Sequence, residues 1–142
     1  MRVRFNTLDD KYYFIQLEKY EARRDRKTAS DFQFSWKQFF THSFPRDYWC
    51  EEFLIRPFLT DRFRLDLFNF SRRFAVECHG DQHVSVSKHF HGDSQEKFLN
   101  SIVRDREKEL WCERNNVELI TVYTSTPRSA DHFKQKYPHI WK

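Results

Sequence analysis

No stretch of this sequence approaches the ~18 consecutive apolar residues that a membrane-spanning helix requires. Cysteine is sparse too: Cys50, Cys78 and Cys112 lie far apart with no CxxC pair. That pattern offers no disulfide framework and matches no standard zinc finger. With no apolar leader in view, the odd, scattered set is expected to remain as reduced thiols in a soluble, cytoplasmic protein. Internal repeats, low-complexity tracts and interdomain linkers are missing as well. The 142 residues are therefore expected to form a single domain, 1–142, with one core and little room for a second.

Aromatic residues are abundant. They make up 18% of the chain, with sixteen Phe and four Trp, enough to fill a compact core with few residues. Any ring left exposed is able to stack on bases. The net charge of +4 favours a polyanionic partner.

Taken in order, residues 1–50 read as a helical N-terminal part. Tyr13, Phe14, Leu17 and Tyr20 fall at helical spacing and are followed by the basic cluster Arg23, Arg24, Arg26 and Lys27. That cluster is either a solvated helix end or a grip on phosphates. Ser30 or Asp31 is positioned to cap a second helix running from Phe32 to about His42, whose Phe32, Trp36, Phe39 and Phe40 form a core-facing stripe. Asp47 to Phe53 reads as a short helical turn. At the other end, residues 124–142 form a basic tail, with a loop, a short last helix and Trp141 positioned to dock on the core.

The most informative stretch is RFRLDLFNFSRRFAVECHGDQH, from Arg62 to His83. It reads as two alternating strands joined by a tight turn at Ser71 and Arg72. Phe63, Leu65 and Leu67 share one face of the first strand, which puts Asp66 opposite them with Arg64 and Phe68. On the second, Phe74, Val76 and Cys78 share a face and Ala75, Glu77 and His79 share the other. Asp66 and Glu77 then lie on neighbouring strands and point the same way. Two carboxylates so placed repel unless a cation or a proton sits between them.

RLDLFNF followed by FAVECHGDQH resembles the core of the PD-(D/E)XK nuclease superfamily, and within it the branch of very short patch repair endonucleases and E-D-x-H-D homing endonucleases. Asp66 and Glu77 match the two acids, Gly80 the glycine and His83 the histidine. His79 stands where many relatives carry aspartate and where the wider glutamate-x-lysine motif has its lysine. The resemblance extends from about Phe58 to Tyr123, the expected nuclease core being residues 58–123. Asp105, Lys108, Asn116 and VELITVY follow the layout of an aspartate, a basic residue three later, and a helix ending before a final strand. For the leading glutamate of the pattern, Glu52 and Glu21 remain open, with no clean match.

The helix expected from Ser94 or Gln95 to Asn115 would bury Phe98, Leu99, Ile102, Val103, Arg106 and Leu110, with Asp105 bordering that side. Between it and the second strand, VSVSKHFHGD reads as an active-site loop.

The resulting expectation is an α/β domain, a small mixed sheet flanked by helices with a restriction-endonuclease-like core. The resemblance implies a Mg²⁺-dependent DNA endonuclease, with Mn²⁺ as a substitute ion. Asp66 and Glu77 would hold the metal, His83 would act as general base, Asp105 would orient that histidine or complete the metal's water shell, and His79 would add a polarising contact. DNA is the expected partner, RNA stays open, and a homodimer is expected if both strands are cut. Two alternatives stand beside it. One is a noncatalytic nucleic-acid-binding module of the same fold. The other is a histidine-rich protein with structural zinc on Cys78, His79, His83, His89 and His91.

Overall fold

The computed structural model describes residues 1–23, 30–80 and 93–141, with the side chains of residues 93 and 94 left aside. Six strands and three α-helices occur among them. In chain order these are β1 (Arg2–Asn6), β2 (Tyr12–Gln16), a 3-10 turn (Leu17–Tyr20), α1 (Asp31–Ser43), β3 (Trp49–Ile55), β4 (Phe63–Asn69), β5 (Phe74–His79), α2 (Asp93–Arg114), β6 (Glu118–Tyr123) and α3 (Ala130–Lys136). The mixed α/β expectation holds at this level.

Strands β3 to β6 form one sheet in that order. β3, β4 and β5 run as an antiparallel meander, and β6 lies parallel to β5. A parallel neighbour needs a long crossover, and α2 supplies it. β5 is the central strand against which both kinds of pairing meet, which is why Phe74, Ala75 and Val76 are buried without alternation. Asn116 takes a left-handed φ of 57° between α2 and β6. This is the conformation expected of a helix-ending residue standing in for glycine.

Two apolar clusters cover the two faces of the sheet. On one, Phe5 and Ile15 of the β1–β2 hairpin and Trp111 of α2 pack over Phe53, Leu65, Phe68 and Ala75. On the other, Trp36 and Phe40 of α1 and Phe133 of α3 pack over Phe74, Val76, Ile120 and Val122. Fully burying each such side chain contributes about 1.5–3 kcal/mol. The C-terminal segment belongs to this second layer: Ile140 is buried and the Trp141 ring stacks on Phe133 at 5.6 Å.

The second expected helix is present and capped as anticipated, Ser30 accepting the Gln33 N–H at 3.2 Å. Three other expectations are corrected. The opening segment is a β-hairpin in place of a helix, because Tyr12 and Phe14 point outward and Tyr13 and Ile15 inward, a period of two that outward-facing rings disguise as helical spacing. Trp49 to Ile55 is a strand, its alternation masked in the sequence by the Glu51-Glu52 pair. On α2, Leu99, Ile102 and Val103 are exposed, while the inward stripe runs through Asp105, Lys108, Trp111 and Cys112 and is continued by Asn115 just past the helix end. The helix turns polar residues inward where it passes Glu77 of the sheet. No helix among the described residues is long and apolar enough to cross a membrane.

Asn115 ties the hairpin to α2: its Oδ1 accepts the Asn6 N–H at 2.8 Å and its Nδ2 donates to the Asn6 carbonyl at 2.9 Å. Asn115→Ala should leave both backbone groups without these partners and cost about 2–3 kcal/mol in urea unfolding followed by tryptophan fluorescence. A loss below about 0.5 kcal/mol would show that the hairpin is held by its apolar face alone.

Candidate active site

The ladder between β4 and β5 runs through Asn69↔Phe74, Phe68↔Ala75 and Leu67↔Val76, and its pairs stop there. The next residues in register are Asp66 and Glu77. In place of the ladder, their side chains take up backbone donors of the facing strand. Asp66 Oδ2 accepts the Cys78 N–H at 2.8 Å, and Glu77 Oε1 accepts the Asp66 N–H at 3.3 Å. The two acids therefore meet across neighbouring strands.

The pleat around Asp66 departs from simple alternation. Leu65 and Phe68 belong to the same cluster, whereas Leu67 packs in the cluster on the opposite face, so Leu65 and Leu67 do not share a face as the expected alternation had them. The break has a counterpart one strand over. The β3–β4 pairing passes from Glu51↔Leu67 to Phe53↔Leu65 without a pair between, where Glu52 takes a left-handed φ of 48°. An L-residue other than Gly or Asn seldom adopts that conformation without being held in it. Gln33 Nε2 of α1 donates to Glu52 Oε1 at 2.9 Å, and Arg64 donates to the Glu52 carbonyl at 2.9 Å. Glu52 thus stands beside the strand position of Asp66, and its charge is felt at the Cys78 thiol. Glu21 sits elsewhere, bridging to Cys50 and lining a separate hollow with Glu18, Lys19, Arg23 and Glu51.

On the α2 side, Lys108 Nζ lies 3.5 Å from Glu77 Oε2. Glu77, His79, Asp105, Lys108, Glu109, Leu119 and Thr121 line a small cavity of about 20 Å³, room for about one water. Of the expected site residues, Glu77, His79 and Asp105 line this cavity together. Asp66 approaches the same glutamate from the strand side and does not line the cavity. Lys108 is the member whose direct contact with the acid the sequence did not reveal. Its signal was the i, i+3 spacing from Asp105, which places both on one helical face.

Glu77 is only 7% exposed, and its carboxyl is pushed up to about 8, first by burial and then by the Asp66 charge, with Lys108 pulling the other way. One buried carboxylate beside one lysine would make a structural ion pair. The second carboxylate adds repulsion that the lysine only partly offsets.

No family model, no curated protein and no solved structure matches this chain. The chemistry is therefore read from the residues themselves. Asp66 and Glu77 offer oxygen donors alone, which suits a hard cation such as Mg²⁺. That ion keeps several waters and is commonly held by one or two carboxylates together with substrate phosphates. No group of three His, Cys, Asp or Glu able to hold a metal occurs among the described residues. The oxygen pair fits the magnesium mode without one.

The zinc set fares differently. Cys78 packs against the α1 side of the sheet while His79 lines the cavity on the opposite face. His83, His89 and His91 lie outside the described residues, as do Arg24, Arg26 and Lys27 of the basic cluster. Arg23 is exposed, its backbone N–H donating to Glu51 Oε1 at 3.3 Å. The three cysteines are free, and burial pushes each thiol upward, Cys50 and Cys112 to about 12.

Because the folded value of Glu77 lies above its ordinary 4.5, its contribution to stability is full below about pH 4.5 and is lost as pH rises toward 8. Metal-free protein should unfold at lower urea concentration at pH 8 than at pH 5.5, and Glu77→Gln should remove that fall. An equal fall in both proteins would locate the pH sensitivity in another group.

Proposed function

We propose that this chain is a metal-dependent endonuclease with a restriction-endonuclease-like core, hydrolysing phosphodiester bonds in DNA. The observation that carries the reading is the Asp66–Glu77 pair, two carboxylates brought together where burial already disfavours one of them. Replacing buried charges by apolar residues often leaves a fold as stable or more so. A repelling pair kept at the end of a strand ladder therefore fits a role beyond folding.

Asp66 and Glu77 are the residues that would hold Mg²⁺, with Mn²⁺ able to substitute. When bound, the ion supplies Lewis-acid activation of water and neutralises charge growing on the phosphate. Lys108 sets the charge of the site from the helix side, where it offsets part of the acid pair. Its position supports a role for which His79 was the sequence-level candidate. His83, by the family resemblance, takes the proton from the attacking water, which an imidazole of ordinary pKa does near neutrality. Asp105 lines the same cavity as His79 and Glu77, placed to orient a base or to hold a water in a space of that size. A noncatalytic module that kept only the fold would have no use for the acid pair.

The test is nicking of supercoiled plasmid with Mg²⁺. Wild-type protein should cut and EDTA should stop it. Asp66→Ala and Glu77→Ala should each abolish cutting with thermal stability unchanged or raised. Cleavage at the wild-type rate by either variant would remove the metal assignment.

A finer test separates the roles. His83→Ala should lose about 10²- to 10⁴-fold in turnover with Mn²⁺ affinity retained. If Asp105 orients His83, adding Asp105→Ala should cost little more, since residues acting as one unit are non-additive. Multiplied losses would instead place Asp105 at the metal's water shell, and loss of ion binding in His83→Ala would make the histidine a ligand.

A further inference from the structure

The β1–β2 hairpin presents two unlike faces. Its inner face is fixed to the core by Phe5 and Ile15, and Asn115 clasps both backbone groups of Asn6. Its outer positions are Arg2, Arg4 and Asn6 on one strand and Tyr12, Phe14 and Gln16 on the other, with Arg4 opposite Phe14 and Asn6 opposite Tyr12. Tyr12 is 55% and Phe14 47% exposed, an unusual outlay of aromatic surface to water on a strand whose alternate residues are buried. The Arg2 guanidinium lies 3.9 Å from the Phe14 ring centre and Arg4 4.6 Å from that of Tyr12. The two rings meet edge to face at 5.8 Å.

We propose that this outer face is a binding surface for single-stranded nucleic acid, with Tyr12 and Phe14 stacking on bases and Arg2 and Arg4 contacting phosphates. Ring–cation pairing alone would account for the arginines lying over the rings. It leaves unexplained why both rings stay open to water. No carboxylate stands among the six outer positions; Arg4 donates to Asn6 Oδ1 at 3.4 Å and Gln16 Nε2 to Glu18 at 2.6 Å, so what the face offers a ligand is its rings and guanidinium groups. The nearby acids are engaged: Asp9 with Thr7 and Lys11, Asp10 with Arg114, Glu18 with the N-terminal amine and Gln16. A guanidinium lying over a ring keeps N–H groups at its edge for a phosphate, and an exposed ring accepts the π-face of any base. A duplex buries those base faces in its own stack, so the surface selects unpaired strands. The inference concerns binding and stands apart from the catalytic reading.

The experiment is fluorescence anisotropy in EDTA, so that no cleavage intervenes, with labelled oligo-dT and a duplex of equal length. Tyr12→Leu with Phe14→Leu keeps apolar bulk in the strand but removes the rings. It should weaken single-strand binding by roughly 10- to 100-fold while duplex binding changes much less. Arg2→Gln with Arg4→Gln should reduce the salt slope on the single strand by roughly 1.4, about 0.7 per phosphate contact. Tyr12→Trp with Phe14→Trp should restore or tighten binding, which a purely structural role would not require. Unchanged single-strand affinity in the leucine variant, with circular dichroism matching wild type, overturns the inference. So does a leucine variant whose oligomeric state changes while its oligonucleotide affinity stays the same, since the face would then join copies of the chain. Plasmid nicking by wild-type protein would stand in either case, and its failure would leave the anisotropy result unaffected.

Discussion

The close approach of Asp66 and Glu77, one of them buried, is the feature around which the neighbouring structure departs from regular pairing. The β4–β5 ladder gives up its pairing beyond Leu67↔Val76, and the carboxylates accept the N–H groups facing them. One strand away, Glu52 takes a left-handed conformation and the alternation of β4 shifts across Asp66. From the other side, α2 turns Asp105 and Lys108 inward at the cost of leaving Leu99, Ile102 and Val103 in water. A buried acid pair is costly by itself, because low polarisability of the surroundings penalises each charge and sharpens their repulsion. One lysine balances part of that charge, and a bound cation would balance the rest.

Much of this is legible in the amino-acid sequence. The β4 and β5 strands, their hairpin, the direction of Glu77 and His79, and the helix–strand unit from α2 to β6 follow from period-two patterning, turn residues and a long charged helix. The encounter of Asp66 with Glu77 followed from register alone. α1 and its Ser30 cap were equally readable, since a serine before an aromatic stripe of helical period has few other uses.

What escaped the sequence did so for identifiable reasons. Outward-facing rings at Tyr12 and Phe14 erased the contrast between wet and dry positions, so a strand looked helical. In β3 the Glu51-Glu52 step hid the alternation, and nothing in a glutamate announces a left-handed φ, as glycine or asparagine would. On α2 the apolar side chains suggested the wrong face, because the true inward face is polar where it meets Glu77. Lys108 was visible as a residue and not as a contact, since the crossing of α2 over β5 is set by tertiary packing that one chain segment does not specify.

The central claim is that the acid pair is a cation site, and Mn²⁺ binding measured by electron paramagnetic resonance of the free ion tests it most directly. The account predicts saturable binding of one ion by wild-type protein at pH 8 in the presence of an oligonucleotide. Binding should weaken by about tenfold or more in Asp66→Asn and in Glu77→Gln, a loss of about 1.4 kcal/mol or greater. Binding that is absent from wild-type protein, or equal in all three, would contradict it.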